Sequence, residues 1–312
     1  MKLIQQMYIL PKYNDTLEVW KMDLRQLRYF HTIAKEGQVT RAADKLHMAQ
    51  PPLSHSLKVL EEEIGIKLLE RNGRKMELTD AGEVLYSKVE FLFKYLEETM
   101  TEVRETEEGI KGHLTIGCVK TCFSLMPSRM EKFRENYPNV TFELREGDSY
   151  ALVEQLKNRD IDLAIVRLPF ETEIFSSHFL PEEKYVAIMS ESLMPLNNRN
   201  SISMRELANL PLILLRRIKG KGQFELVSDR FRNRGLDPNI VTVCPDVDMI
   251  MELVSRGLGA SIVPESTLNK HMIGDVKSLS IKDELIISQS AIIWLKDRYL
   301  SKTAERFIEL FK

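Results

Sequence analysis

A run of polar and charged side chains between Thr40 and Lys58 suits the recognition of nucleic acid. Its candidates for DNA contact are Thr40, Arg41, Gln50, Pro51, Ser54, His55 and Lys58. Hydroxyl, amide, imidazole and cationic groups of this kind hydrogen-bond to base edges and phosphate oxygens. Apolar residues recur between Leu53 and Ile64 at spacings of four, three and four, which predicts a helix with one buried face. An ordinary helical hairpin with a solvated polar face would explain this segment alone equally well.

Two short helices joined by a tight turn are needed to position these side chains. Ala42 and Ala43 give the first helix a small surface, over which a second helix can cross closely. Pro51 and Pro52 suit the first turn of that second helix, where backbone N–H groups have no helical partner. The segment therefore predicts a helix-turn-helix, with the second helix entering the DNA major groove.

A cationic hairpin is predicted directly after these helices. Two strand-like segments flank Asn72 and Gly73, a dipeptide that is a strong signal for a tight hairpin turn. Arg71, Arg74 and Lys75 surround this turn. We expect the hairpin to be a wing, with Arg71 and Arg74 contacting phosphates.

The ordered motifs between Asp23 and Gly82 resemble the winged DNA-binding domain of LysR-type transcriptional regulators. They read LRQLRYF, TRAADKLHMAQPPLS, LEEEIGIKLLERN and ELTDAG. The resemblance covers the chain from Met22 to its C-terminus and implies a winged helix-turn-helix domain over residues 22–80. Residues 1–21 precede the family pattern, so they are either a genuine arm or the product of an upstream start codon that is not the native one.

A long helix is predicted from Asp80 towards Gly109. Its narrow apolar seam, flanked by charges, consists of Leu85, Val89, Leu92 and Leu96. A narrow seam on a helix of this length favours pairing with a second copy, and packing within the same chain is the alternative. In the family this linker helix, here residues 81–109, is the dimerisation element. The resemblance therefore implies a homodimer or homotetramer.

Strands and helices alternate after Gly112, which predicts parallel sheets wrapped by helices. The pattern fits two α/β subdomains, and the resemblance implies a periplasmic-binding-protein-like effector domain over residues 113–312. We expect the chain to cross between the subdomains near Leu168–Lys184 and near Pro264–Asn269. These crossings assign subdomain I to about residues 113–168 and 269–312, and subdomain II to about residues 184–264.

Polar side chains follow the carboxyl ends of several predicted strands. The candidates for effector binding are Lys120, Thr121, Arg167, Arg216, Arg217 and Asp248. Ligands of open α/β sheets bind beyond the carboxyl ends of strands, near helix N-termini. Arginines at that edge predict a small anionic effector, a carboxylate, and solvated loop charges are the alternative. In the family, a serine or threonine in the place of Thr121 commonly contacts the ligand.

Composition and missing motifs exclude other classes of protein. The 312 residues are 43% hydrophobic with a net charge of −2, which fits two or three globular domains and leaves room for a local basic surface. No HExxH, CxxC, P-loop or GxSxG motif occurs, so we expect no enzyme, no cofactor and no metal site. No apolar run approaches the roughly 20 residues of a membrane helix.

The cysteine count points to a reducing compartment. Three cysteines without framework spacing fit the cytosol. Cys118 and Cys122 lie four residues apart near the end of a predicted strand, and buried thiols are favoured over a redox pair.

The sequence therefore predicts a cytoplasmic, sequence-specific transcriptional regulator that responds to a small effector. Its expected partners are double-stranded DNA, the effector and a second copy of the chain. The alternative is an architectural DNA-binding protein that needs no ligand. Tight binding of one small molecule, with an altered footprint on DNA, would separate the two.

Overall fold

The computed structural model describes residues 22–73, 75–105, 110–170, 173–194, 200–217, 221–268 and 276–312. The predicted extension over residues 1–21, the wing residue Arg74 and the end of the linker at residues 106–109 lie outside these ranges. The chain divides into two compact units, one ending at Glu98 and the other beginning at Thr99. None of the described helices is long and apolar enough to span a bilayer.

The described residues of the first unit form helices and one hairpin. In chain order its elements are α1 (Leu24–Glu36), α2 (Val39–Lys45), α3 (Gln50–Ile64), β1 (Leu69–Asn72), β2 (Lys75–Leu78) and α4 (Asp80–Glu105), which continues past Glu98. Phe30, Ala42 and Leu53 are fully buried where the first three helices meet. Prolines occupy the first turn of α3, and Gly65 ends the helix with a φ of 78°. The predicted pair of helices with a tight turn is confirmed.

The hairpin differs from its prediction by one residue. Asn72 pairs with Lys75 as the last rung of the antiparallel ladder. The turn therefore begins at Gly73, one residue later than the sequence signal placed it. Gly73 has a φ of 63°, in the left-handed region that glycine adopts without steric cost.

Part of the predicted apolar seam on α4 is buried within this chain itself. Leu85 packs against the core of the first unit, and Val89 is only 2% exposed. Val89 therefore has almost no surface left to bury against a second copy, which differs from its predicted role. Leu92 and Leu96 are half-buried. Val84 and Met100 are 63% and 51% exposed, so α4 still presents apolar surface to solvent.

The second unit alternates strands and helices, as predicted. In chain order its elements are β3 (Gly112–Cys118), a 3-10 turn (Lys120–Leu125), α5 (Pro127–Asn136), β4 (Val140–Glu146), α6 (Ser149–Lys157), β5 (Leu163–Arg167), β6 (Phe175–Phe179), β7 (Glu183–Ser190), a 3-10 turn (Glu191–Leu193), β8 (Ser201–Ile202), α7 (Met204–Ala208), β9 (Leu212–Leu215), α8 (Gln223–Asn233), β10 (Ile240–Cys244), α9 (Val247–Ser255), β11 (Ser261–Pro264), a 3-10 turn (Glu265–Thr267), β12 (Val276–Ile281), β13 (Ile287–Ser288), β14 (Ser290–Leu295) and α10 (Lys302–Glu309).

The sheets are mixed, so the prediction of parallel sheets was wrong in part. The first sheet has the order β4-β3-β5-β14-β6, in which β3 is parallel to β4 and β5 but β14 is antiparallel to β5 and β6. The second has the order β11-β7-β12-β8, and β7 is antiparallel to β11, β12 and β13. β9 and β10 pair in parallel beside it. A strand that enters directly from the other sheet needs no helical crossover and can run antiparallel.

The subdomain boundaries also differ from those predicted. The chain passes from the first sheet to the second between β6 and β7, within the predicted range Leu168–Lys184. It returns between β13 and β14, about twenty residues later than the predicted crossing at Pro264–Asn269. The reason is β12, which pairs with β7 and so keeps residues 276–281 in the second subdomain. Of the described residues, those within 112–179 and 290–312 thus form the first subdomain, and those within 183–288 form the second.

Candidate functional site

A groove between α3 and the hairpin collects polar side chains of the first unit. It encloses about 890 Å³ and is lined in part by Gln38, Thr40, Gln50, Ser54, Lys58, Glu61, Lys67, Glu70 and Arg71. Five of the predicted DNA-contact residues, Thr40, Gln50, Ser54, Lys58 and Arg71, therefore share one surface. Arg41, Pro51 and His55 are exposed to solvent but do not line the groove. Gln38 and Lys67 were not predicted, because neither lies on the polar face of α3.

Buried leucines fix the rotation of α3 about its axis. Leu53 and Leu60 are fully buried, which leaves His55 and Lys58 exposed on the opposite face. Lys58 lies 3.3 Å from Glu62 in an ion pair whose two side chains are both exposed. Exposed pairs of this kind contribute little free energy, so Lys58 can exchange its carboxylate partner for a phosphate.

A cavity of about 370 Å³ lies in the second unit, between its two subdomains. Four of the predicted effector residues line it, namely Lys120, Thr121, Arg167 and Arg217. Apolar side chains form much of the remaining wall, namely Val119, Leu168, Leu215, Leu226, Val247 and Ile287. Its volume lies within the usual range for small-molecule sites, roughly 300–1,000 Å³.

Arg167 connects the two segments by which the chain crosses between the subdomains. Its guanidinium donates to Glu183 Oε2 at 2.7 Å, at the start of β7, and to Ser288 Oγ at 3.0 Å, at the end of β13. The same group donates to Thr121 Oγ1 and to the Thr121 carbonyl, both at 2.9 Å. Arg167 is 5% exposed, so Glu183 compensates a buried charge. This guanidinium is thereby engaged within the protein.

Lys120 forms a second link between the subdomains. Its ammonium lies 2.7 Å from carboxylate oxygens of both Asp246 and Asp248, at the N-terminus of α9. These two hydrogen-bonded carboxylates raise the pKa of Lys120 above its usual range. The predicted effector residues Lys120 and Asp248 thus bind one another, and Asp246, rather than Asp248, lines the cavity.

Arg217 differs from the other described cations of the cavity, Lys120 and Arg167, because no carboxylate contacts it. Within the part of the chain that the structure describes, its guanidinium donates to two backbone carbonyls, those of Lys221 at 3.0 Å and Arg167 at 3.3 Å. No carboxylate of the described residues forms an ion pair with it. Burial lowers the pKa of Arg217, and Asp148 opposes this shift from a distance. Burial of a charge without a contacting counter-charge is unfavourable, and an anion that binds there relieves this cost.

Arg216 does not line the cavity, although it precedes Arg217 in the sequence. Its guanidinium carbon lies 3.6 Å from the ring centroid of Phe224, a cation–π contact. Sequence reasoning missed Asp148, Tyr185 and Gln223, which do line the cavity. Gln223 is the first residue of α8, and its amide donates to the Ile262 carbonyl at 2.6 Å. A glutamine at the first position of a helix, after a glycine, is only a weak sequence indication of a ligand site.

The cysteines are buried thiols, as the sequence favoured. Cys118, Cys122 and Cys244 are free, and all three are buried. Burial raises the pKa of the Cys118 thiol well above its usual range and also raises that of Cys122. Because the thiolate is the reactive form, these residues are poorly suited to redox sensing at neutral pH.

Two family models match the sequence over these two units. The model described as "Bacterial regulatory helix-turn-helix protein, lysR family" matches residues 24–83. The model described as "LysR substrate binding domain" matches residues 107–312. The groove lies within the first match and the cavity within the second.

Similar proteins cover nearly the whole chain. The regulator BsdA of Bacillus subtilis is 38% identical over 93% of this chain and 100% of its own length. The dual regulator GltC of the same organism is 32% identical over 92% of this chain and 96% of its own length. Full-length CbnR in complex with its target DNA is 24% identical, with a TM-score of 0.72 over 93% of this chain and 99% of CbnR, and shows the same fold. Full-length BenM is 29% identical, with a TM-score of 0.54 over 93% of this chain and 95% of BenM.

Proposed function

This chain belongs to the LysR family of transcriptional regulators, and from that premise we propose that a small anion held by Arg217 controls its action on DNA. It is a DNA-binding transcriptional regulator with an effector-binding domain. The nature of the effector is our proposal, and the charge of Arg217 carries it. The ligand-independent architectural alternative has no supporting observation.

The cavity favours an organic carboxylate over an inorganic anion. Arg217 offers a forked cation at one wall, while Leu215, Leu226 and Val247 offer hydrocarbon surface at others. Arg167 and Lys120 are already paired with Glu183 and Asp246, so they add little free positive charge. The ligand that fits this arrangement has one carboxylate and an apolar body.

A thermal-shift screen of aliphatic and aromatic acids on the full-length protein tests this proposal. Each acid is paired with its neutral amide, which has nearly the same shape and no charge. We expect at least one acid to raise the melting temperature while its amide does not. Equal shifts by acid and amide would show that the charge of the ligand is not recognised.

The effector can act on DNA binding through movement of the subdomains. The crossings between β6 and β7 and between β13 and β14 are the covalent connections between them. Arg167 donates hydrogen bonds to residues at both crossings. Lys120 forms an ion pair across the cavity, from the first subdomain to Asp246 of the second. A ligand that binds one arrangement of the subdomains better than another shifts the population towards it.

The DNA-binding surface consists of the polar face of α3 and the hairpin, in our proposal. His55→Ala should relax sequence preference, because the imidazole then no longer contacts one base pair, at a cost of about 1–3 kcal/mol. Competition between specific and random DNA measures this change. The control His47→Asn removes another exposed imidazole, from the turn between α2 and α3, where φ is 52° and asparagine is tolerated. Equal losses of affinity on both DNAs would rule out base reading by His55.

Dimerisation through α4 is the third part of the proposal. Leu92→Asp should yield smaller species in sedimentation, because a charge buried at a helix–helix contact costs several kcal/mol unless the contact opens. Affinity for DNA should fall with it, since a dimer holds two DNA-binding domains. The control Ser87→Asp places the same charge on α4, about 140° around the helix. A Leu92→Asp protein that stays dimeric with normal affinity would assign this residue to packing within one chain.

A further inference from the structure

Glu61 is a buried carboxylate near the end of α3. Its side chain is 6% exposed, which is unusual for glutamate. Oε1 accepts from the backbone N–H groups of Leu68 and Leu69, at 3.0 and 3.2 Å. Oε2 accepts from the Lys67 ammonium at 2.6 Å. One side chain of the recognition helix therefore binds three donors in the segment that leads into the wing.

The segment between α3 and the wing depends on such contacts for its position. Gly65, Ile66 and Lys67 are exposed, so this connection has little packing of its own. On its other side, Thr79 Oγ1 donates to the Lys67 carbonyl at 2.8 Å, and the Thr79 N–H donates to the Leu68 carbonyl at 3.1 Å. Glu61 and Thr79 thus hold the base of the hairpin from opposite sides.

We propose that Glu61 is a positioning residue that fixes the wing relative to α3, so that Arg71 and the recognition helix reach the same DNA together. Arg71 lies two residues beyond Leu69 along β1, and both Glu61 and Arg71 line the groove. The carboxylate acts through the wing and does not touch DNA. This inference rests on the proposed role of the wing as a phosphate contact.

The sign of the expected effect separates positioning from simple electrostatics. A carboxylate near DNA repels phosphates, so its removal by charge alone strengthens binding. A carboxylate that positions a cation has the opposite effect, because the cation loses its phosphate when the carboxylate is removed. Replacing Glu61 should therefore weaken binding, although it makes the protein less acidic.

The test uses full-length protein and random-sequence duplex DNA, with affinity measured by fluorescence anisotropy over a series of salt concentrations. Arg71→Ala should reduce the salt slope by about one unit, the value of one phosphate contact. Glu61→Met, which has a similar shape and no acceptor, should reduce the slope by the same amount and weaken binding several-fold at low salt. Glu61→Gln keeps one carbonyl oxygen for the N–H groups and should retain most of the slope.

Two controls make the result specific. Glu62→Met removes an exposed acid from the adjacent position of α3 and frees Lys58 from its ion pair, so it should give equal or tighter binding with a slope that does not fall. The double variant Glu61→Met with Arg71→Ala should have the slope of Arg71→Ala alone, since both changes remove the same contact. A constant smaller folded fraction raises the apparent dissociation constant by the same factor at every salt concentration, so it leaves the salt slope unchanged. If Glu61→Met fails to fold, Glu61→Asp shortens the reach by one methylene, keeps the charge and should also lower the slope.

The outcomes distinguish this inference from the proposed function beneath it. A reduced slope for Arg71→Ala with a normal slope for the folded Glu61 variants would overturn the positioning role alone. If the two substitutions lowered the salt slope additively in the double variant, the positioning role alone would also be overturned. An unchanged slope for Arg71→Ala would overturn the wing contact and the positioning role together.

Discussion

Replacing Arg217 by methionine is expected to weaken binding of an organic acid about tenfold to a hundredfold while preserving the fold. Methionine keeps the length of the side chain but removes the cation that receives the carboxylate. Burial already lowers the pKa of Arg217, so the charge is held in an unfavourable environment. The guanidinium donates to two backbone carbonyls but forms no ion pair with a carboxylate of the described residues, so the unliganded variant should keep its fold with at most a modest loss of stability.

Isothermal titration with an acid identified by the thermal-shift screen measures this loss. Arg216→Met is the matched control, because Arg216 is adjacent in sequence but stacks on Phe224 outside the cavity lining. We expect its affinity for the acid to stay within about twofold of the original. Comparable losses in both variants would indicate a general effect of positive charge rather than contact with Arg217.

Arg167→Met is expected to destabilise the effector domain by about 3–5 kcal/mol. The change leaves Glu183 without its guanidinium partner in a site that is only 20% exposed. It also removes the donor that joins Thr121 to Ser288. For a domain of this size the loss corresponds to a fall in melting temperature of about 6–20 °C.

Scanning calorimetry of the full-length protein checks this expectation. Arg256→Met removes an arginine from an exposed pair with Glu252 and should change stability by less than about 1 kcal/mol. The double variant Arg167→Met with Glu183→Gln should recover part of the loss, because no uncompensated charge remains. A cost below about 1 kcal/mol for Arg167→Met alone would show that solvent or another group neutralises Glu183.

Local signals predicted the elements of the first unit well. The buried positions of α3 follow from the spacing of Leu53, Leu57 and Leu60, and the hairpin follows from its glycine turn. These features depend on neighbours in the sequence, which a periodic pattern records. The boundary of the second subdomain was missed because it depends on the pairing of β12 with β7, about ninety residues apart. No local pattern encodes that pairing.

The candidate site was predicted in outline but not in its electrostatics. The carboxyl ends of strands located Thr121, Arg167 and Arg217 near one cavity. Which arginine is free to bind a ligand depends on distant partners. Glu183 engages Arg167, and Phe224 holds Arg216. Adjacent residues of extended chain point to opposite sides, so Arg216 and Arg217 meet different surroundings despite their identical chemistry.

Footprinting of the full-length protein on a DNA site selected from a random pool, with and without the acid, tests the central claim most directly. The acid should alter the footprint or the affinity of the original protein, and its neutral amide should not. Arg217→Met should occupy the same site as the original protein and be unaffected by the acid at that concentration. An acid that acts equally on Arg217→Met, or an amide that acts as well as the acid, would contradict control by an anion at Arg217.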